Sequence, residues 1–234
     1  MAIPQRSPEP GSAAAIANDR LRNGGLWWST AEDGDRRTLR GYDNELGDTE
    51  VIVDHGSVQS PTAPVVTVET DRRLHRVRSI VVVTSPALWW LEVPETRADP
   101  PAMTLIAFDT DESAPGRVVD DPSFHRMATA GSDQVGAIRW WPSTGLVHQI
   151  YVQPTRRRQG IGRALAFGAG GYSVARDWPQ PWGDDRRTDL GEAFVTRASR
   201  AIASRAFSRA VVMPAMTPVS ERDGVPRRLL EPDG

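Results

Sequence analysis

Residues 145–165 constrain this chain more than any other stretch. Leu146 to Val152 is a β-branched and aromatic run closed by Pro154, and from Gly160 an apolar stripe continues at helical spacing, so the stretch reads strand, basic turn, helix. The turn runs Thr155, Arg156, Arg157, Arg158, Gln159, Gly160, Ile161, Gly162, Arg163. Two residues without a Cβ at a helix N-terminus let an anion approach backbone N–H groups closely, and Arg156, Arg157, Arg158 and Arg163 add positive charge. These residue types in this order make an anion cradle; the plain alternative is a solvated arginine-rich turn between an ordinary strand and helix. Two other phosphate-binding signatures fail. A P-loop needs Gly-Lys-Ser/Thr, which the chain lacks, and a dinucleotide fingerprint needs a third glycine where Leu165 stands.

The same residues resemble motif A of the GCN5-related N-acetyltransferases (GNAT), a strand ending near a proline, then R/Q-x-x-G-x-G/A and an immediate helix. Here the match is Arg157, Gly160 and Gly162 within residues 146–165, and the wider resemblance covers residues 124–178. It implies an α/β acyl-CoA N-acyltransferase (GNAT-like) fold, a mixed, mostly antiparallel sheet flanked by helices. It also implies acetyl-CoA as co-substrate and direct transfer of the acetyl group to an amine, on a small molecule or a protein. Carried over by position, the backbone of Ile150, Tyr151 and Val152 would meet the pantetheine arm. Arg157, Arg158, Gln159, Gly160, Ile161, Gly162 and Arg163 would line the pyrophosphate. On the same strand His148 is the group that can take the amine's proton near neutrality. A lone strand histidine with a structural role is the competing reading.

Two departures from the family are visible. Its fifth strand, parallel to the fourth, should follow the helix, but Trp178 to Gly183 holds two prolines and no β-branched run. The tyrosine that protonates the leaving thiolate in relatives follows that strand, and Tyr42, Tyr151 and Tyr172 are all elsewhere. A non-catalytic GNAT-like module that binds CoA or a partner is therefore the first alternative.

Composition narrows the chemistry further. The 234 residues hold no cysteine and no lysine, which excludes disulfides, thiolate nucleophiles, Cys zinc sites and Schiff-base lysines. A formal charge of −2, and the lack of a second basic stretch with interleaved aromatics, disfavour a nucleic-acid role for the arginine turn. His55, His75, His125 and His148 show no ligand spacing, so no metal is expected. With no apolar run near the ~18 residues of a membrane span and no secretory leader pattern, the expectation is a cytoplasmic protein. Acetyl-CoA and an unidentified amine acceptor are the expected partners.

Along the chain, residues 1–25 and 214–234 read as disordered tails, 26–59 as an irregular segment around Trp27 and Trp28, and 60–213 as the GNAT-like domain. Within the second segment, 31–50 reads as loop. Pro64–Glu69 reads as a strand, and the spacing of Leu74, Val77, Ile80 and Val81 predicts a helix capped by Thr70 or Asp71 and ended by Pro86, although Ile80–Val83 alone would prefer a strand. A short helix is expected over Ala87–Leu91, an extra or edge strand over Met103–Phe108, and an exposed insertion over 110–122. A meander of strands Phe124–Ala130, Gln134–Trp141 and Leu146–Val152 should follow, with Trp140 and Trp141 on opposite faces. The next helix is expected over Gly160–Ala175 with Ile161, Leu165, Ala169 and Tyr172 inward. Thr188 should cap a further helix reaching about Ala210, with a short closing strand over Ala210–Met213.

Overall fold

The computed structural model describes residues 27–42, 52–54, 57–59, 64–74, 76–83, 85–184, 186–197 and 211–212. The tails expected at 1–25 and 214–234 lie outside the described residues.

Two hairpins form a four-stranded antiparallel sheet. Strands β1 (Trp27–Asp33) and β2 (Arg36–Tyr42) turn at Gly34, and β5 (Val66–Asp71) and β6 (Arg76–Val82) add to them in the order β1-β2-β5-β6. Between them in sequence, β3 (Ile52–Asp54) and β4 (Ser57–Gln59) pair as a small hairpin. The stretch 26–59, read as irregular, thus carries four strands in its described part, and the loop expected at 31–50 is strand up to Tyr42. The segment from Thr70 to Pro86, expected to be helix, instead carries the end of β5 and all of β6. Val77, Ile80 and Val82 are buried, while Leu74 and Val81, counted on the helical stripe, are 59% and 44% exposed. The β-branched run at Ile80–Val83 prefers extended backbone, and two-sided alternation buries three of its apolar neighbours where a helix would not.

The five-stranded sheet runs β11-β10-β8-β7-β9. Its members are β7 (Trp89–Glu95), β8 (Ala102–Phe108), β9 (Val118–Asp120), β10 (Gly136–Trp140) and β11 (Val147–Val152), antiparallel except for β7 with β9. Four segments of this region differ from expectation. Ala87–Leu91 enters β7 rather than a helix, because Trp89 and Trp90 alternate between two faces that are both covered. The segment 102–108 is an interior strand, and 110–122 is no exposed insertion, since it supplies β9 with Val118 and Val119 buried. Phe124–Ala130 is not a strand either. Asp120 accepts a hydrogen bond from the Ser123 N–H at 3.0 Å and caps a single helical turn, α1 (Asp121–Phe124), with Pro122 in its first positions.

Helix α2 (Ile161–Ala175) lies across both sheets. Its inward stripe is the expected one, with Ile161, Leu165, Ala169 and Tyr172 at most 1% exposed. It packs on Leu39, Val68, Val77 and Ile80 from one sheet and on Trp90, Leu105, Ile138 and Trp140 from the other. Backbone at Gly116 and Arg117 stitches the sheets together: the Ile80 N–H donates to the Gly116 carbonyl at 2.7 Å and the Trp90 N–H to the Arg117 carbonyl at 2.8 Å. The Trp90 indole adds a buried bond to the Ile80 carbonyl at 2.8 Å. On the far face Trp89 stacks on Phe108 at 4.4 Å, covered by Phe124 and Met127. The chain closes with β12 (Arg186–Arg187), α3 (Asp189–Arg197) and β13 (Val211–Val212), where β12 and β13 pair in parallel. The result is a mixed α/β architecture of two mostly antiparallel sheets with few helices. No helix among the described residues is long and apolar enough to cross a membrane.

One buried polar group pins α2 to the sheet. The Tyr172 hydroxyl donates to Glu92 Oε2 at 2.7 Å and accepts from Arg176 Nη2 at 3.1 Å. Burial, and then the charge of Glu92, push the Tyr172 phenol well above its ordinary value. A phenol raised in the fold stabilises it fully below the unfolded value of about 10. That contribution is lost as pH rises toward the folded value, because only the unfolded chain then releases the proton. We expect Tyr172→Phe to cost ~1–3 kcal/mol at neutral pH, from an unsatisfied buried carboxylate oxygen. In urea unfolding followed across pH, the gap between parent and variant should narrow above about pH 10; a gap that widens there contradicts the assignment.

Candidate functional site

The strand, turn and helix of residues 147–175 are built as the sequence reads. β11 ends at Val152, a one-turn 3-10 segment covers Pro154–Arg156, and α2 begins at Ile161. The reversal in between uses two left-handed residues, Arg158 at φ 66° and Gly160 at φ 84°. Gly160 is the N-cap of α2, and having no side chain it makes no capping hydrogen bond of its own to the first turn of the helix.

The arginines are less available than their spacing implies. Arg156 pairs with Asp109 at the end of β8. Arg157 Nε donates to the Val152 carbonyl at 3.2 Å, and the Arg163 guanidinium lies 5.2 Å from the centre of the Phe167 ring. Gln159 Nε2 reaches back to the Thr155 carbonyl at 3.5 Å, and Arg158 is exposed. Ile161 buries its side chain in the core, so only its backbone faces the turn. Gly162 has a neighbour that sequence reasoning did not assign: a Cβ there would stand 3.4 Å from the Phe194 ring of α3 and 3.7 Å from Val152 Cγ2.

β11 is an edge strand, and the register shows which of its groups face outward. Gln153 donates to the Val135 carbonyl on the β10 side, whereas the Val147 N–H donates to the Trp182 carbonyl on the other side at 2.9 Å. Alternation along an antiparallel ladder then turns Gln149 and Tyr151 toward β10 and Ile150 and Val152 away from it. Of the three residues expected to offer backbone, Tyr151 is thus paired with Ala137, and Ile150 and Val152 point out. Between these groups the ladder steps from Gln149–Arg139 to Val147–Trp140, which leaves His148 as the extra residue of a bulge. A bulge of this kind re-aims its side chain. His148 is exposed and lies 5.5 Å from the Trp141 ring, while Trp140 fills the core on the opposite face, as expected of the pair. Next to it, Glu95 takes three bonds from Arg139 at 2.9–3.1 Å, its Nε shared between both carboxylate oxygens, and a fourth from Thr104 at 2.6 Å. The Arg139 bonds hold the Glu95 carboxyl below the ordinary carboxylate value despite partial burial.

The chain does return beside β11, where no strand was expected. Trp182 forms one parallel bridge with Leu146, accepting from Val147 and donating to the Gly145 carbonyl at 2.9 Å, and then diverges so that Arg186 and Arg187 pair with β13 instead. Among the described residues no strand lies against β11 beyond that bridge. Gln180 sets the return. It is buried and donates to the Gly170 carbonyl of α2 at 3.0 Å, and its own carbonyl presses on Gly145, where a Cβ would stand 2.3 Å away. Beyond the bridge, Thr188 caps α3 through the Gly191 N–H at 3.0 Å, as the sequence predicts, and Arg187 Nε binds Glu192 at 2.8 Å. The described part of α3 ends at Arg197, and the rest of the helix expected to reach Ala210 lies outside the described residues.

A concavity of about 290 Å³ opens on the outer face of the four-stranded sheet, lined by Glu32, Arg36, Glu69 and Arg78 among others. Two of its charges already pair, Glu32 with Arg72 and Arg78 with Asp71, and it is remote from the turn in both sequence and sheet. Among the described residues no three acidic or histidine side chains gather as a metal site. No family model matches the chain, and no curated protein or solved structure matches it.

The return at Gly145 is open to a direct test. Gly145 has φ 76° and a blocked Cβ position, whereas Gly34 has φ 58° with nothing within 4 Å. Gly34→Ala should cost ~1–2 kcal/mol, the strain of a left-handed residue alone. Gly145→Ala should cost clearly more by denaturant unfolding, because the Gln180 carbonyl must also move. Equal losses would mean that the return is not locked there.

Proposed function

We propose that the chain binds acetyl-CoA along the outer edge of β11 and at the start of α2, and that it transfers the acetyl group directly to an amine. The observation that carries this reading is the parallel bridge of Leu146 with Trp182 followed by divergence. It leaves the outward groups of Ile150 and Val152 beside a strand that runs into a helix start with no side-chain cap. An extended pantetheine arm carries amides that suit such an edge, and a diphosphate suits first-turn N–H groups backed by Arg157 and Arg158.

The GNAT-like reading of the fold is supported by the antiparallel order β8, β10, β11 leading into the turn and α2, and by the parallel return after it. It is weakened by β6 and β7, which stand where two helices were expected, and by β12 pairing with β13 rather than running along β11. In the transfer the amine nitrogen attacks the thioester carbonyl, the C–N bond forms, the C–S bond breaks, and CoA leaves as a thiolate that takes its proton from solvent. The proton lost by the amine goes to His148, two residues along the chain from the bridging Leu146.

A second reading, a CoA-binding module without catalysis, is favoured by the tyrosines. Tyr172 is buried and bonded to Glu92, and Tyr151 belongs to β11, so neither is placed to protonate a thiolate held outside the edge. Nucleic-acid binding through the turn is the weaker proposal, because Arg156 and Arg157 are bonded within the protein.

Two substitutions test these readings. Ile150→Pro removes an N–H that faces away from β10 and so leaves the ladder intact. Acetyl-CoA at ~100 times its Kd should stabilise the parent by ~2.7 kcal/mol. The variant should lose most of that shift while melting near the parent when unliganded. Short duplex DNA run in parallel should give no shift. His148→Gln should lower turnover on a responsive amine by ~10²-fold with acetyl-CoA affinity retained, and the parent's rate should fall as the imidazole protonates. Thiol release that survives the substitution with an unchanged pH profile clears His148 of the role. Binding without thiol release from any amine supports the non-catalytic module.

A further inference from the structure

Gly162 presents the bare face that a diphosphate would need, and in this structure that face is covered. The ring of Phe194 stands 3.4–3.5 Å from where a Cβ would be. The helix that carries it is held at its other end: Thr188 caps it, and Arg187, only 9% exposed, is tied to Glu192 and to the Asp184 carbonyl. Those anchors lie within residues 184–192, and Phe194 reaches the turn from beyond them. Leu190 on the same helix is 51% exposed, so α3 is not seated by a continuous apolar stripe. A second contact closes the edge itself. Arg157 donates to the Val152 carbonyl, the outward acceptor closest to the turn.

We propose that α3 is a lid on the turn, with Phe194 as its plug and Arg157 as its latch. This rests on the acetyl-CoA reading above and deepens it. With the lid down, Phe194 covers Gly162 and Arg157 occupies the Val152 carbonyl. For acetyl-CoA to enter, Phe194 lifts about the anchored end of α3. The diphosphate then takes Arg157, and a pantetheine amide N–H takes the carbonyl that Arg157 releases. Each partner exchanged is matched in kind: an anion replaces a carbonyl on the guanidinium, and a neutral amide donor replaces the guanidinium on the carbonyl.

Because a ligand that binds only the open form loses apparent affinity in proportion to the closed fraction, loosening the plug tightens binding. In calorimetric titrations with acetyl-CoA, Phe194→Ala should bind ~10-fold more tightly than the parent, as for a lid that is closed about nine-tenths of the time. Phe194→Leu, which keeps an apolar plug and the helix, should fall between. Equal or weaker binding by Phe194→Ala, with the parent binding well, overturns the lid and leaves the acetyl-CoA reading standing. No binding by any of the three overturns both. In the unsubstituted protein, 4-fluorophenylalanine labelling reports on the plug without a folding risk, since the chain has five phenylalanines and Phe194→Leu assigns the signal. Saturating acetyl-CoA should bring the Phe194 resonance into contact with solvent, read as a D2O-dependent shift. A signal that stays shielded overturns the lid.

Discussion

The edge of the five-stranded sheet depends on how the chain returns from α2, and one buried amide governs that return. Gln180 donates into the backbone of α2 at Gly170 while its carbonyl rests on Gly145. The second contact needs glycine, since Gly145 gives way to the Gln180 carbonyl, and the small residues of α2 let the loop and the sheet approach the helix from two sides. Gly168 lies close to the core, where a Cβ would stand in ordinary van der Waals contact with Trp90 and Leu105 at 3.4–3.5 Å. A glycine in a helix costs ~1 kcal/mol relative to alanine, which close packing around a fully buried helix offsets. With the loop fixed, Trp182 meets Leu146 once and then leaves, so that among the described residues no strand covers the rest of the β11 edge.

Charge then decides what the edge can accept. A turn with four arginines looks strongly cationic in one dimension. Folded, Arg156 answers Asp109, Arg157 answers a carbonyl and Arg163 lies on a ring. What is left for an anion is the start of α2, the exposed Arg158, and whatever Arg157 gives up on exchange. Such a site attracts ligands that bring their own backbone-like amides along with the phosphates, because phosphate alone would have to displace Arg157 without supplying a donor to Val152. This is the physical reason for preferring a CoA thioester over nucleic acid at the same turn.

The parts legible in the sequence were those in which local pattern and tertiary burial agree. The 3.6-residue stripe of α2, the strands at 136–140 and 147–152, the glycine at the left-handed N-cap and the Thr188 cap are all short-range signals. Errors arose where a segment fits two periods. Val77 and Ile80 satisfy helical spacing, yet they are inward residues of a strand, and nothing local announces the core that covers them. Likewise Trp89 and Trp90 read as one apolar block because each face of β7 has its own cover. The return at Trp182 was illegible for another reason. A single bridge flanked by Pro179 and Pro181 has no strand composition, and it exists because Gln180 is buried, which is a fact about α2 and not about the loop. Phe194 was visible as an apolar residue of a helix, but its contact with Gly162 joins positions 32 residues apart.

The central claim is that Ile150 and Val152 offer outward backbone groups that a ligand completes. Residue-resolved amide hydrogen exchange by NMR measures this directly. In the free protein the Ile150 and Val152 amides should exchange fast and those of Gln149 and Tyr151, bonded to β10, slowly; saturating acetyl-CoA should slow Ile150 and Val152 and leave the other two unchanged. Protection of Ile150 and Val152 already in the free protein, or exchange that acetyl-CoA does not alter, would contradict the account.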